Sequence, residues 1–90
     1  MNKKYLSIGT VVILRGAKHP LMIIGFCSGT VDKKDEIFDY FGCLYPVGVF
    51  SEKSYFFFNH EDIDRVIYLG YTNQEDKEFK SNLLKAMEKK

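Results

Sequence analysis

A mainly β domain of the α+β class, ending in an amphipathic helix, is predicted by three features of this sequence. Eight Phe and six Tyr among 90 residues supply bulky side chains that suit a pleated sheet and bury a large area each. Short apolar runs, several of them β-branched, recur between clusters of Gly, Pro, Asn, Asp and Ser, which is the punctuation of strands and turns. Near the C-terminus the apolar spacing changes to every fourth residue, the mark of a helix.

Taken in order, Ile8-Gly9-Thr10 leads into Val11-Val12-Ile13-Leu14-Arg15, a first strand buried on both faces and closed by Gly16. Gly16 to Pro20 is a turn, because glycine permits positive φ and Pro20 biases His19 away from helix. Leu21 to Cys27 forms strand two and completes an N-terminal hairpin. The polar stretch from Ser28 to Glu36 lacks apolar periodicity and reads as an exposed loop. Ile37 to Tyr45 makes strand three, in which Gly42 marks a bulge or bend, and Pro46-Val47-Gly48-Val49 turns the chain. Ser51 to Ser54 is a hairpin tip before strand four, Tyr55 to Phe58, which is apolar on both faces. In the segment Asn59 to Asp64, Asn59 caps a single helical turn with acidic residues at its positive end and Ile63 pointing inward. Arg65 to Tyr71 is the last strand.

Five short strands with a one-turn helix before the fifth follow the order of a small SH3-like antiparallel barrel, with an open, curved sheet as the other form. Thr72 and Glu75 then make a capping box for a helix over 73–89, whose Phe79, Leu83 and Met87 stripe has Leu84 and Ala86 beside it. Acidic residues in its first turns and lysines in its last complement the helix dipole. The chain reads as one domain, 1–90, with a β part over 8–71 and the C-terminal helix.

Charge and length exclude several roles. Thirteen basic against twelve acidic residues leave +1, so no global field draws nucleic acid or anionic membrane. Leu21 to Cys27 is the longest apolar run, far short of the ~20 residues that span a bilayer, and the N-terminus has no apolar leader, so a cytoplasmic protein without membrane insertion is expected. Cys27 and Cys43 lack the close spacing of a zinc ribbon or a redox pair and are expected as reduced, largely buried thiols; a disulfide between them stays open if the protein is exported.

Candidate chemistry is sparse. His19 precedes Pro20 in a turn and has no obvious partner, and His60 lies among Asn59, Glu61, Asp62 and Asp64. Neighbours on one helical turn point in different directions, so capping and turn formation account for that cluster before partner contact, and metal or acid–base work comes last. No phosphate-binding, dinucleotide, zinc-protease or nucleophile-elbow motif occurs. Carboxylates such as Asp35/Glu36 and Glu61/Asp62 are adjacent rather than opposed, unlike the pair that flanks a scissile bond. The reading is therefore non-enzymatic, with no catalytic residue, cofactor or metal assigned.

Apolar surface is the surplus feature. The runs Phe41 to Tyr45 and Tyr55 to Phe58 are apolar on both faces, which a thin core and a covering helix absorb in one account and a partner site uses in the other. Tyr40, Tyr45 and Tyr55 rim such a site, and the Phe79, Leu83 and Met87 stripe docks on its own barrel or on a foreign helix. The alternative is a small regulator that stacks single-stranded nucleic acid on these rings, against which stands the dispersal of Lys and Arg away from Phe56-Phe57-Phe58 and Tyr40-Phe41.

The segments 8–16, 21–26, 38–48 and 57–63, read together as IGTVVILRG, LMIIGF, FDYFGCLYPVG and FFNHEDI, resemble domain-of-unknown-function family 4176, over about Ile8 to Tyr71. Members of that family are often encoded in type VII (ESX/WXG100-type) secretion loci of Gram-positive bacteria, near LXG toxins. The resemblance implies a cytoplasmic accessory, chaperone-like or targeting protein whose partner is an LXG-type effector or a component of the secretion machine, in an oligomeric state it leaves open. It brings no catalytic residues. The chain departs from the pattern at Val47, where an acidic residue is expected between Pro46 and Gly48; if that turn contacts a partner, partner choice differs here. Partner contacts are accordingly expected among Tyr40, Tyr45, Pro46, Val47, Tyr55, His60, Phe79, Leu83 and Met87.

Overall fold

The computed structural model describes residues 5–28 and 37–88. The loop expected at 28–36 falls, from 29 onward, outside them, as do the Cys27 side chain, Lys89 and Lys90. Strands β1 (Val11–Leu14), β2 (Leu21–Ser28), β3 (Phe38–Leu44), β4 (Phe56–Phe58) and β5 (Ile63–Tyr68) form one antiparallel sheet in the order β4-β3-β2-β1-β5. A 3-10 turn, His60–Asp62, precedes β5, and helix α1 spans Gln74–Glu88. Among the described residues no helix is long and apolar enough to cross a membrane.

The mainly β class, the one-turn helix and the C-terminal helix are as the sequence predicts, but the sheet does not close into a barrel. Strands β4 and β5, consecutive in the chain, lie at opposite edges, and β4 pairs only with Tyr40, Phe41 and Gly42 of β3. Three residues offer too short an edge to carry a second ladder. β4 also starts after Tyr55, and β5 runs from Ile63 rather than Arg65 because Ile63 already pairs with Leu14. It ends at Tyr68, short of Tyr71: the Gly70 N–H donates to the Thr10 hydroxyl (3.0 Å). The bulge predicted at Gly42 sits on the partner strand, since Ile23 pairs with Gly42 and Gly25 with Phe41, leaving Ile24 as the extra residue of β2.

Directly opposed residues share a face, so the pairs Val12–Leu21, Leu21–Leu44 and Tyr40–Phe58 define the core side. There Tyr5, Val12, Leu21, Ile23, Tyr40 and Phe58 are buried together. Helix α1 covers this side: Leu83 and Leu84 pack on the cluster, and the Phe79 ring lies 5.9 Å from Phe26. Val11, Met22, Cys43, Phe41, Phe57 and Tyr68 occupy the outer face by the same register. Cys43 is a buried free thiol.

The helix cap lies one residue beyond the predicted Thr72. Asn73 Oδ1 accepts the Asp76 N–H (2.8 Å), and the Thr72 hydroxyl donates instead to the Asp76 carboxylate (2.7 Å). That carboxylate also accepts the Ser7 hydroxyl (2.6 Å) and pairs with Lys80 (3.1 Å), whose Nζ donates to Ser7 Oγ (2.7 Å). One polar cluster thus ties the first turns of α1 to the segment before β1.

Desolvation alone raises the Asp76 pKa, but hydrogen bonds from Ser7, Thr72 and Lys80, with the Lys80 charge, outweigh it and hold the carboxyl below its ordinary value. A depressed native pKa stabilises the fold fully above the unfolded value and loses that contribution as pH falls through the native one. Acidification below about pH 4 should therefore loosen α1 from Ser7 before the sheet melts. Amide exchange across 74–80, followed between about pH 6 and pH 2.5, checks this. Asp76→Asn should cost ~1–2 kcal/mol at neutral pH and flatten the acid response.

Candidate partner-binding surface

His60 is committed to the architecture around it. Its backbone N–H donates to Asp39 Oδ2 (2.9 Å), and its Nδ1 shares a hydrogen bond with the Tyr40 hydroxyl (2.8 Å), whose oxygen also accepts the Leu6 N–H (3.0 Å). Asn59 Oδ1 accepts the Asp39 N–H (3.0 Å), and Asp62 Oδ2 accepts the Asn59 N–H (2.9 Å). These bonds fasten the 3-10 turn to β3 and to the N-terminal segment. Among the described residues, no three His, Cys, Asp or Glu side chains gather as a metal-binding group.

Residues 45–55, between β3 and β4, form a braced loop. Gly48, at φ +80°, returns its N–H to the Leu44 carbonyl (2.8 Å). The Ser54 hydroxyl, on a residue only 6% exposed, accepts the Phe50 and Ser51 N–H groups (3.3 and 3.1 Å), and the Ser54 N–H donates to the Ser51 carbonyl (3.1 Å). At the loop's base the Tyr55 ring meets Phe41 edge-on at 5.7 Å, and Phe41 continues to Phe57 at 6.0 Å and Phe57 to Phe38 at 5.9 Å. With its backbone bonds turned inward, the loop presents Val47, Val49 and Phe50 to solvent, and Phe50 is 76% exposed.

Beside the loop, a groove of about 440 Å³ opens on the outer face, lined by Val11, Pro20, Met22, Tyr45, Ile67 and Tyr68 together with Gly9. None of these side chains is charged at neutral pH.

The sequence matches the family described as Domain of unknown function (DUF4176) over residues 5–79. The chain belongs to this family. The DUF4176 match reaches further than the segment from Ile8 to Tyr71 that carries the resemblance, taking in Tyr5 of the core and Phe79 of α1, so the first turns of the helix are part of the domain. Comparison with curated proteins and with solved structures finds no match.

In this DUF4176 fold the nine expected contact residues separate. Tyr45, Pro46, Val47 and Tyr55 come together at the braced loop and are exposed. Tyr40 does not rim the surface: at 0% exposure it is core, stacked on Phe58 at 5.5 Å, because its strand parity turns it to the core side, against Tyr5 and Phe26. His60 supports the turn. Leu83 packs on the chain's own core and Met87 is half-buried on the same helix, while Phe79 is split, leaning on Phe26 with 52% of it still exposed. Val49, Phe50, Ile67, Tyr68, Leu69 and Tyr71 are also exposed, and none of them is among the nine. Phe50 had one legible signal: a lone large ring between Gly48 and Ser51 has no periodic neighbour to bury it.

Proposed function

We propose that this DUF4176 domain is a non-catalytic accessory protein of the cytoplasm that binds an exported effector of the LXG type, or a component of the type VII secretion machine, and serves as its chaperone or targeting adaptor. The observation that carries the reading is the braced loop, which holds Val47, Val49 and Phe50 in solvent on a scaffold of backbone-to-serine hydrogen bonds. Exposing a large aromatic costs solubility, and a rigid mount spares a partner the entropy of ordering it, so the arrangement suits an anchor that fills a pocket on another protein. Two further features support protein as the ligand. Helix α1 packs on its own core through Leu83 and Leu84, and the loop exposes Val47, Val49 and Phe50 with a single basic residue, Lys53, beside the acidic Glu52.

Co-expression of the tagged chain with the products of neighbouring genes, any LXG-type effector among them, is the direct test. A stoichiometric complex is expected, and Phe50→Glu should weaken capture more than about tenfold while the far-ultraviolet spectrum stays that of the parent. Recovery of no effector by the parent chain would sink the reading. Equal capture by Phe50→Glu would move the contact elsewhere on the domain.

A further inference from the structure

We propose that Ser54 is the positioning residue of the partner-binding loop: its hydroxyl lies below the surface, and by fixing the backbone that carries Phe50 it sets how tightly a partner is held. The inference rests on the reading of that loop as the partner site. A hydroxyl has two lone pairs and one proton. The Phe50 and Ser51 N–H groups occupy both lone pairs of Ser54 Oγ, so its proton is left for Ser51 Oγ, 3.4 Å away. Ser51 Oγ accepts the Lys53 N–H in turn (3.2 Å). One side chain, attached at the foot of β4, therefore gathers the backbone of the loop's outer arm.

The other arm is held without Ser54. The Tyr45 N–H donates to the Pro20 carbonyl (3.0 Å) and the Gly48 N–H to the Leu44 carbonyl, both on the sheet side of the loop. Removing the Ser54 hydroxyl thus loosens the Phe50 arm alone. The sheet survives the loss, because Phe50 and Ser51 are exposed and water replaces the missing acceptor for their N–H groups. What is lost is preorganisation: a partner must then order Phe50 as it binds, a cost of the size met when one side chain is immobilised, about two- to tenfold in affinity. The bonds also narrow how the loop is read. With the N–H groups of Gly48, Phe50, Ser51, Lys53 and Ser54 engaged within the chain, a partner meets side chains there rather than a backbone ladder.

Amide exchange of the purified chain, resolved residue by residue, tests the positioning with no partner present. In Ser54→Ala the Phe50 and Ser51 amides should exchange at least about tenfold faster than in the parent, while Tyr45, Gly48 and the strands keep their rates. Ser54→Thr, which retains the oxygen, should bring the two amides back toward the parent. Capture of the partner tests the consequence. Ser54→Ala should weaken it about two- to tenfold, and the same substitution in a Phe50→Ala chain should weaken it no further, since the hydroxyl acts through that ring. Parent-like exchange at Phe50 and Ser51 in Ser54→Ala would overturn the proposal. Exchange that quickens across the strands as well would overturn it too, by making Ser54 a general support of the fold. So would unchanged capture by Ser54→Ala, or an equal loss with and without the Phe50 ring. A parent chain that captures nothing sinks the effector reading instead, and the exchange rates still decide whether Ser54 fixes the loop.

Discussion

Gly42→Ala should destabilise the domain by about 3 kcal/mol or more, enough to unfold much of it at 37 °C given the 5–15 kcal/mol that holds a typical domain together. At this position β3 faces Ile23 of β2 on one side and Phe56 of β4 on the other. A Cβ there would overlap the Met22 carbonyl oxygen and lie 3.1 Å from the carbonyl carbon. Those atoms are backbone within the ladder, so no side-chain rotation relieves the collision; β2 would have to move at its own bulge, where Ile24 already displaces the register. Urea denaturation of the two proteins provides the measurement. A difference below about 1 kcal/mol would mean that the strands yield at little cost.

Tyr40 is expected to show two separable losses. Tyr40→Ala removes a fully buried ring that stacks on Phe58 and meets Tyr5 edge-on at 5.8 Å, and should cost about 3–5 kcal/mol through transfer and cavity effects. Tyr40→Phe keeps the ring and takes only the hydroxyl, leaving the Leu6 N–H and His60 Nδ1 without that partner, for about 1–3 kcal/mol. A His60→Ala background supplies the cross-check. If the hydroxyl acts partly through His60, the two substitutions together should cost less than their sum, by roughly 0.5 kcal/mol or more. Simple additivity in urea titrations would show that the contact contributes nothing of its own.

The strands were legible because their local signals agreed: Val11 to Leu14 and Leu21 to Cys27 pair apolar runs with turn residues at both ends, and the structure places strands there within a residue. Boundaries slipped where a tertiary bond overrode the local pattern. Tyr71 continues an apolar run, yet Gly70 gives its N–H to Thr10, sixty positions away in the chain. Thr72 fits a capping box by spacing, but Ser7 and Lys80 converge on Asp76 and draw the Thr72 hydroxyl to it, leaving the cap to Asn73. The expected contact surface fared unevenly for a related reason. Period-two alternation shows that Tyr40 and Phe41 point to opposite faces without saying which face a helix will cover, and α1 covers the side of Tyr40. For the same reason the exposure of Tyr68 and Tyr71 could not be read from a run that looks like any other last strand.

The strand order also has a consequence for the order of events as the chain is made. Because β1 pairs with β5 across the whole intervening sequence, a nascent polypeptide that has emerged through β4 can assemble β1 to β4 but must leave the far edge of Val11–Leu14 unpaired. Ser7 waits longer still, for an Asp76 that lies 69 positions downstream. Such long closures slow folding relative to a bundle of the same length. The domain is therefore complete only once β5 and α1 have emerged, and until they arrive, the side of the sheet that becomes the core is open to whatever protein stands nearest.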